Sequence, residues 1–578
     1  MENRTADLEN RVPLSAKSAF QRMNIDLSEI NIELRLNGSQ IERRTLQEFS
    51  PLAKSLEWEL AALSWEDLGV LPFAENEVPF IITSSGRLSE HAAVVLFENC
   101  KQAPPEERFH VLELGAGSGL FARLFLESFK KICLQENTDY YERLVYIVTD
   151  GSERSVKQWR ERAIFEDHEQ HVRPVRCNAG IAQDLNQFDE ASCRAVICNY
   201  VLDVLPSSVI RQGHEGIEEL HIRTHLVGES SVVAQHTALS YEQIAEFARS
   251  QDPEERRKLL PLVTLLELET AFKPIDPAIQ EQARKALRIQ KDLDKVVLNY
   301  GAINCLESCA KLLESDGFLL INDYGPVDTA DVEKQVISQR FGPTVALGIN
   351  FPYIESYFSD RNWHCRIPDN DAEASIHTRL ITRNNTQPMT EMFLNRFGSV
   401  GQVYFEQQII EAREHARAGR KNEALEAYKV ALGRNQADWY FLGEVAEYVG
   451  LQLADWSAGT ELIQEAIRLN PWYSAWLWNV LGDCLFCWDR FSDAHEAYLQ
   501  AQRIDPRDPR TNLNLSFTYT SFLQFDDVLL AIARGLSHDK GGLLRDQLLE
   551  KQRQILNQLS ARDLSEHERL VRRALSQP

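Results

Sequence analysis

Two rhythms divide this chain. Between His110 and Gly325, short apolar runs alternate with stretches of helical spacing, and past residue 400 the strand-like runs stop. "HVLEL" is ended by Gly115 and followed by "LFARLFLESFKKI", whose apolar residues recur at intervals of three and four. "RLVYIVTD" closes on Asp150 and gives way to "SERSVKQWRERAIF"; "RAVICNYVL" and "GFLLINDYG" are two further buried-strand candidates. Strands that alternate with helices need crossover connections, so the pattern predicts an α/β domain with a mostly parallel sheet covered on both faces. A helical period over Phe49 to Phe73 extends this domain to residues 41–390, behind a polar, weakly patterned arm over 1–40. Between Ser207 and Cys309 the rhythm changes. A hairpin-like piece, "SVIRQGHEGIEELHIRTHLV", leads into charged amphipathic segments that predict a helical insertion over about 238–300. That insertion reads equally as a lid over the sheet's carboxyl edge or as a structural cap.

The composition bounds what such a fold can do. At 578 residues the chain exceeds what one core usually serves. A net charge of -24 argues against general nucleic-acid binding, which needs concentrated Lys and Arg, but it suits a basic partner. The start "MENRTADLEN" is polar, no apolar run is long enough to span a bilayer, and the ten cysteines are scattered. These features predict a soluble protein of the reducing cytoplasm, with no membrane span. The one C-x-x-C, Cys484 and Cys487, lacks the second pair a zinc site requires, so no metal is expected.

The turn after "HVLEL" is the chemical signal. It reads E-x-G-x-G-x-G from Glu113 to Gly119. A dinucleotide fingerprint would place its third small residue at Leu120, and no G-K-S/T follows, so neither that motif nor a phosphate loop fits. Glycine lets the backbone turn sharply and approach a ligand where a Cβ would collide. An acid at the end of the next strand, Asp150, is placed to accept ribose hydroxyls.

This combination resembles class I S-adenosylmethionine-dependent methyltransferases, which have a Rossmann-like fold. "VTDGSERSVKQWRERA", "CNYVLDVLPSSVIR" and "DGFLLINDYG" are similar, in this order, to signature segments of the MidA-like family, with fainter echoes in "FIITSSG" and "ALGINF". The resemblance covers residues 75 to 385. It implies that Glu113, Gly115, Ala116, Gly117 and Gly119 line the methionine end of S-adenosylmethionine, that Asp150 takes the ribose beside Ser152, and that Asn199 sits next to the methyl group. Asp203 and Pro206 match the family's post-strand loop, and Asp323 and Tyr324 would face the substrate. Asp203 is the carboxylate expected to orient the acceptor and take its proton, with Asp323 the second candidate. Tyr200 stands where the family has Glu, which puts arginine in doubt as the methylated residue.

Past residue 400 a period of 34 emerges. Trp478, Leu481, Gly482, Leu485, Ala494, Tyr498, Ala501 and Pro506 resemble the tetratricopeptide repeat, and Asn512, Leu515, Ser516, Tyr519, Val528 and Ile532 keep the register. Trp439, Leu442, Gly443, Gly459, Ala466 and Pro471 repeat it upstream with a short insertion, and Ala412, Ala424, Tyr428 and Ala431 form a weaker first unit. Residues 400–578 are thus expected to be an all-α solenoid with a concave groove. Three functions remain open: a methyltransferase whose repeats dock a protein acceptor, a small-molecule methyltransferase with repeats used for assembly, and a non-catalytic cofactor-binding scaffold.

Overall fold

The computed structural model describes residues 43–571 apart from 75–80, 103–106, 189–192, 333–338, 342–343, 370, 375, 385–386, 399–406, 435–436, 540 and 560–567. The polar arm over 1–40 lies outside the described residues. The strands expected from the alternating rhythm all join one seven-stranded sheet. Its five parallel strands lie in the order Leu313–Asp323, Cys193–Asn199, Phe109–Leu114, Leu144–Asp150 and Val172–Arg176. His377–Thr382 and then His364–Arg366 extend the first edge in antiparallel pairing. Successive residues of each parallel strand enter opposite apolar layers. Val111, Ala195 and Phe318 face one, and Leu112, Val196 and Leu319 face the other. This two-sided burial is why these strands read as continuous apolar runs.

Strand order places the site. From Phe109–Leu114 the chain winds outward one way through Leu144–Asp150, then returns to Cys193–Asn199 on the other side. The crevice between these two directions opens at the carboxyl ends of Phe109–Leu114 and Cys193–Asn199, the general ligand position in open α/β sheets.

The region over 238–300 corrects the helical expectation. Helices Tyr241–Arg249 and Gln280–Ile289 form, but Leu266–Pro274 is a nine-residue strand. Its residues Leu266, Leu268, Thr270 and Phe272 alternate with Glu267, Glu269, Ala271 and Lys273, a two-residue period hidden among charges. It pairs with Ile217–Val227, the long arm of the expected hairpin, whose short arm is Ser208–Gln212. With Arg43–Pro51 and Val296–Leu298 these strands make a second, antiparallel sheet.

From Gln407 to Gln558 every described element is helical. Helices beginning at Ala475 and Pro509, and at Phe491 and Phe525, are 34 residues apart. Asp438, Asp455, Ser474 and Asp508 cap helix starts with side-chain oxygens, satisfying first-turn N–H groups. Gly482 is small because a Cβ there would fall 2.2 Å from the Tyr498 ring of the next helix. This helical half is not separate from the sheet. Trp439, Ile463, Tyr473, Leu477 and Val480 belong to the same apolar core as Leu88, Phe121 and Phe318. Among the described residues no helix is long and apolar enough to cross a membrane, and no group of three or more His, Cys, Asp or Glu could hold a metal. Of the C-x-x-C, Cys484 is buried in the core and Cys487 is half-buried.

Candidate active site

The glycine turn is shaped by three left-handed residues, Gly115 (φ 62°), Gly117 (φ 53°) and Gly119 (φ 78°), a region disfavoured for side chains. Its backbone is tied down on all sides. The Ala116 N–H donates to Thr149 O (2.8 Å), the Gly119 N–H to Ala116 O (2.9 Å), and the Trp159 indole to Gly117 O (2.9 Å). Asp150 Oδ2 accepts from the Gly117 N–H at 3.0 Å, and Oδ1 from the Ser152 N–H at 2.8 Å. Ser152 in turn caps the Glu153–Glu161 helix. Burial pushes the Asp150 carboxyl up to about 6 against the pull of these donors.

A relay of polar side chains crosses the sheet at the same level. Thr378, Asn322 and Asn199 are register partners on three adjacent strands. The Thr378 hydroxyl donates to Asn322 Oδ1 (2.8 Å), Asn322 Nδ2 to Asn199 Oδ1 (2.7 Å), and Asn199 Nδ2 to Glu113 Oε1 (3.3 Å). The Tyr146 hydroxyl closes it by donating to Glu113 Oε2 (2.9 Å). Glu113 is therefore held in one orientation although burial pushes its carboxyl up to about 8.

The other wall follows Asn199. Tyr200 takes φ 49°, unusual for a bulky residue, and its N–H donates to Asn322 O at 2.9 Å. Asp323 then holds the corner: Oδ2 accepts from the Leu202 N–H (3.1 Å) and Oδ1 from the Tyr324 N–H (2.9 Å). Burial and the neighbouring Asp203 push the Asp323 carboxyl well above the usual carboxylate range. Asp203 is itself pushed up to about 7 by burial, opposed mainly by its own backbone N–H.

These walls line a partly open cleft of about 670 Å³, counted with the solvent space at its mouth. Of the residues singled out from sequence, Glu113, Gly115, Ala116, Gly117, Asn199 and Asp203 line it, as does Tyr324. Gly119, Asp150, Ser152 and Asp323 stand behind the lining and hold its backbone. Sequence reasoning missed the roof. Phe73 packs against the turn, so a Cβ on Gly117 would fall 2.6 Å from its ring, and Trp65 lies 6.0 Å from Phe73 between ring centroids. The roof is stitched to the helix Glu153–Glu161 and its cap, where the Ser152 hydroxyl donates to Glu66 O (2.8 Å) and the Val70 N–H to Gln158 Oε1 (3.0 Å). No local pattern signals such contacts, which join residues some 40 to 90 positions apart.

The charge of the cavity decides what fits. Two carboxylates line it, two more lie directly behind, and no Lys, Arg or His is among the described lining residues. A phosphate-bearing dinucleotide would find no cationic side chain among those lining residues. A ligand carrying an ammonium and a sulfonium would instead compensate carboxyl groups that burial has driven upward. The residues present thus fit S-adenosylmethionine.

A Burkholderia thailandensis protein bound to S-adenosyl-homocysteine aligns at 14% identity and a TM-score of 0.38, over 66% of this chain and 88% of its own. The CurJ carbon methyltransferase aligns at 10% identity and a TM-score of 0.26, over 58% and 68%. MamA aligns at 18% identity and a TM-score of 0.23, over 27% and 92%. No curated protein matches the chain. The family match carries the weight. Residues 92–350, which span the glycine turn, Asp150, Asn199, Asp203 and Asp323, match the model of a family described as "Putative S-adenosyl-L-methionine-dependent methyltransferase", whose cofactor is S-adenosyl-L-methionine.

Proposed function

We propose that this chain is an S-adenosyl-L-methionine-dependent methyltransferase that acts on a protein acceptor docked by tetratricopeptide-like repeats in its C-terminal half. The observation that carries this reading is the acidic cavity, with no basic side chain among its described lining residues, built on a glycine turn where the strand order reverses. The 34-residue helix spacing supports the repeat assignment, and the net charge of -24 suits a basic acceptor.

When bound, the cofactor supplies a methyl group already activated by its sulfonium. The chain's residues supply alignment, which accounts for about 7–11 kcal/mol in well-oriented reactions. Glu113 faces the ammonium end, and Gly115, Ala116, Gly117 and Gly119 give the close backbone approach. Asp150, next to Ser152, keeps acceptor capacity for ribose hydroxyls beyond its two backbone bonds. Asn199, fixed by the relay between Asn322 and Glu113, borders the methyl position. Asp203 orients the acceptor and takes its proton. Asp323 acts through the Leu202 N–H, positioning the loop that carries Asp203.

Calorimetric titration of S-adenosylmethionine and S-adenosylhomocysteine tests the reading, with Gly117→Arg as control. Wild type is expected to bind saturably, and the variant to lose binding, because the arginine would meet both a left-handed backbone and the Phe73 ring. Folded wild type that takes up neither compound would overturn the reading. Labelled-methyl transfer to lysate proteins then tests for a protein acceptor.

A further inference from the structure

The helical half reaches the cavity through two of its walls. Tyr473, buried in the shared core, donates its hydroxyl to the carbonyl of Ser118 in the glycine turn at 2.7 Å. Trp439 donates its indole N–H to Ser84 O at 2.8 Å and its backbone N–H to Ser85 O at 3.2 Å. Ser118 and Ser84 both line the cavity, on different segments of the α/β half. The fit between the halves is close: Gly86, at φ 110°, lies so near Ala437 O that a Cβ would stand 2.1 Å from it. Tyr473 is aimed by its own surroundings. Its N–H donates to Asn470 Oδ1 at 3.1 Å, and the Arg162 guanidinium lies 5.0 Å from its ring centroid.

The bond to Ser118 acts on the turn's shape. A peptide unit is planar, so fixing its carbonyl also fixes the N–H on its opposite side. In the Ser118–Gly119 unit the carbonyl is held by Tyr473 and the N–H by Ala116 O. In the preceding unit Trp159 holds the Gly117 carbonyl. Consecutive carbonyls of the turn are thus pinned by bulky aromatic donors, one from each half of the molecule.

We propose that Tyr473 and Trp439 are positioning residues of the cavity, so that the helical half is part of the cofactor site and its state is coupled to cofactor affinity. The identity of the ligand rests on the proposed function; the coupling between Tyr473 and the turn does not. Such coupling is reciprocal, so a ligand that orders the turn also orders the helices holding it.

Hydrogen exchange on the full-length, ligand-free protein tests this directly. Tyr473→Phe keeps the ring and removes one hydrogen bond, whose net loss corresponds to about a 2- to 12-fold change in a local equilibrium. Exchange over residues 115–121 is expected to quicken by that factor while the Pro509–Ser521 helix is unchanged. Trp478→Phe is the matched control, since it removes an indole bond to Pro471 O within the helical half. It should leave 115–121 unmoved. If Tyr473→Phe does not fold, Trp439→Phe tests the other wall, read as faster exchange over 83–88. Unchanged exchange at the turn in a folded Tyr473→Phe protein overturns the proposal, as does an equal rise in Trp478→Phe. S-adenosylhomocysteine titrated into the same proteins separates the two ideas. Wild-type binding with an unresponsive turn defeats the coupling alone. A responsive turn in a wild type that binds no S-adenosylhomocysteine defeats the assigned ligand alone.

Discussion

The cavity and the ion pairs of the helical half treat buried charge in opposite ways. In those pairs, acids near the core are compensated by arginine, whereas burial pushes the helix cap Asp438 up to about 7. Arg510 Nη2 donates to Asp483 Oδ2 (2.8 Å) and Glu447 Oε1 (3.1 Å), and Arg413 pairs with Glu444 at 2.6 Å beside the Tyr428 hydroxyl. Those carboxylates raise the arginine pKa values against the effect of burial. Around the cavity, Glu113, Asp203 and Asp323 are buried and Asp150 is half-buried, with no basic side chain among their strongest influences, and all four are pushed upward. Asp483, Glu447 and Glu444 are given their partners by the chain. The cavity acids are kept waiting for one, at some cost in stability.

This contrast is sharpest at Asp203. Asp203→Asn is expected to lower turnover by about 10²- to 10⁴-fold, the usual scale for a general base, with cofactor affinity kept. Its melting temperature should hold or rise, because an uncompensated buried acid has been removed. Normal turnover on the true acceptor would remove Asp203 from the chemistry. The opposite sign belongs to Arg510→Met, which strands Asp483 and Glu447. A fully buried pair broken this way costs about 3–5 kcal/mol. The Arg510 side chain keeps 26% exposure, so about 2–3 kcal/mol is expected by denaturant unfolding. A neutral result would show that these ion pairs are as dispensable as surface ones.

The smallest effect is on pH dependence. Glu113 is raised from 4.5 to about 8 and Asp203 from 3.8 to about 7, so the folded state binds more protons than the unfolded state between these values. Their contribution to stability is full below about pH 4 and is lost as pH rises through about 7 to 8. The ligand-free melting temperature should therefore fall from pH 6 to pH 8.5, and Glu113→Gln should flatten that slope. A slope unchanged by the substitution would locate the titration elsewhere.

Much of this arrangement was legible in the sequence because its signals are local. A strand end, three glycines and a helix start lie within one turn, and the acids and amide at the next strand ends follow from the same pattern. The 34-residue period was legible because it repeats. Three features were not. Leu266–Pro274 alternates acids with apolar residues inside a segment whose overall charge reads as helical surface. The roles of Asp150 and Asp323 in holding backbone N–H groups depend on partners in other segments, and sequence marks only their chemistry. Phe73, Trp439 and Tyr473 look like ordinary core aromatics until the fold brings them to the turn.

The shared apolar core also bears on how the chain is made. Trp439, Tyr473 and Leu477 complete a layer begun by Leu88 and Phe121, more than 300 residues earlier. At about 5–20 residues per second, the ribosome releases the α/β half on the order of ten seconds before those partners emerge. During that interval the nascent chain presents an unfinished apolar face, and a chaperone bound there would be displaced by the protein's own last third.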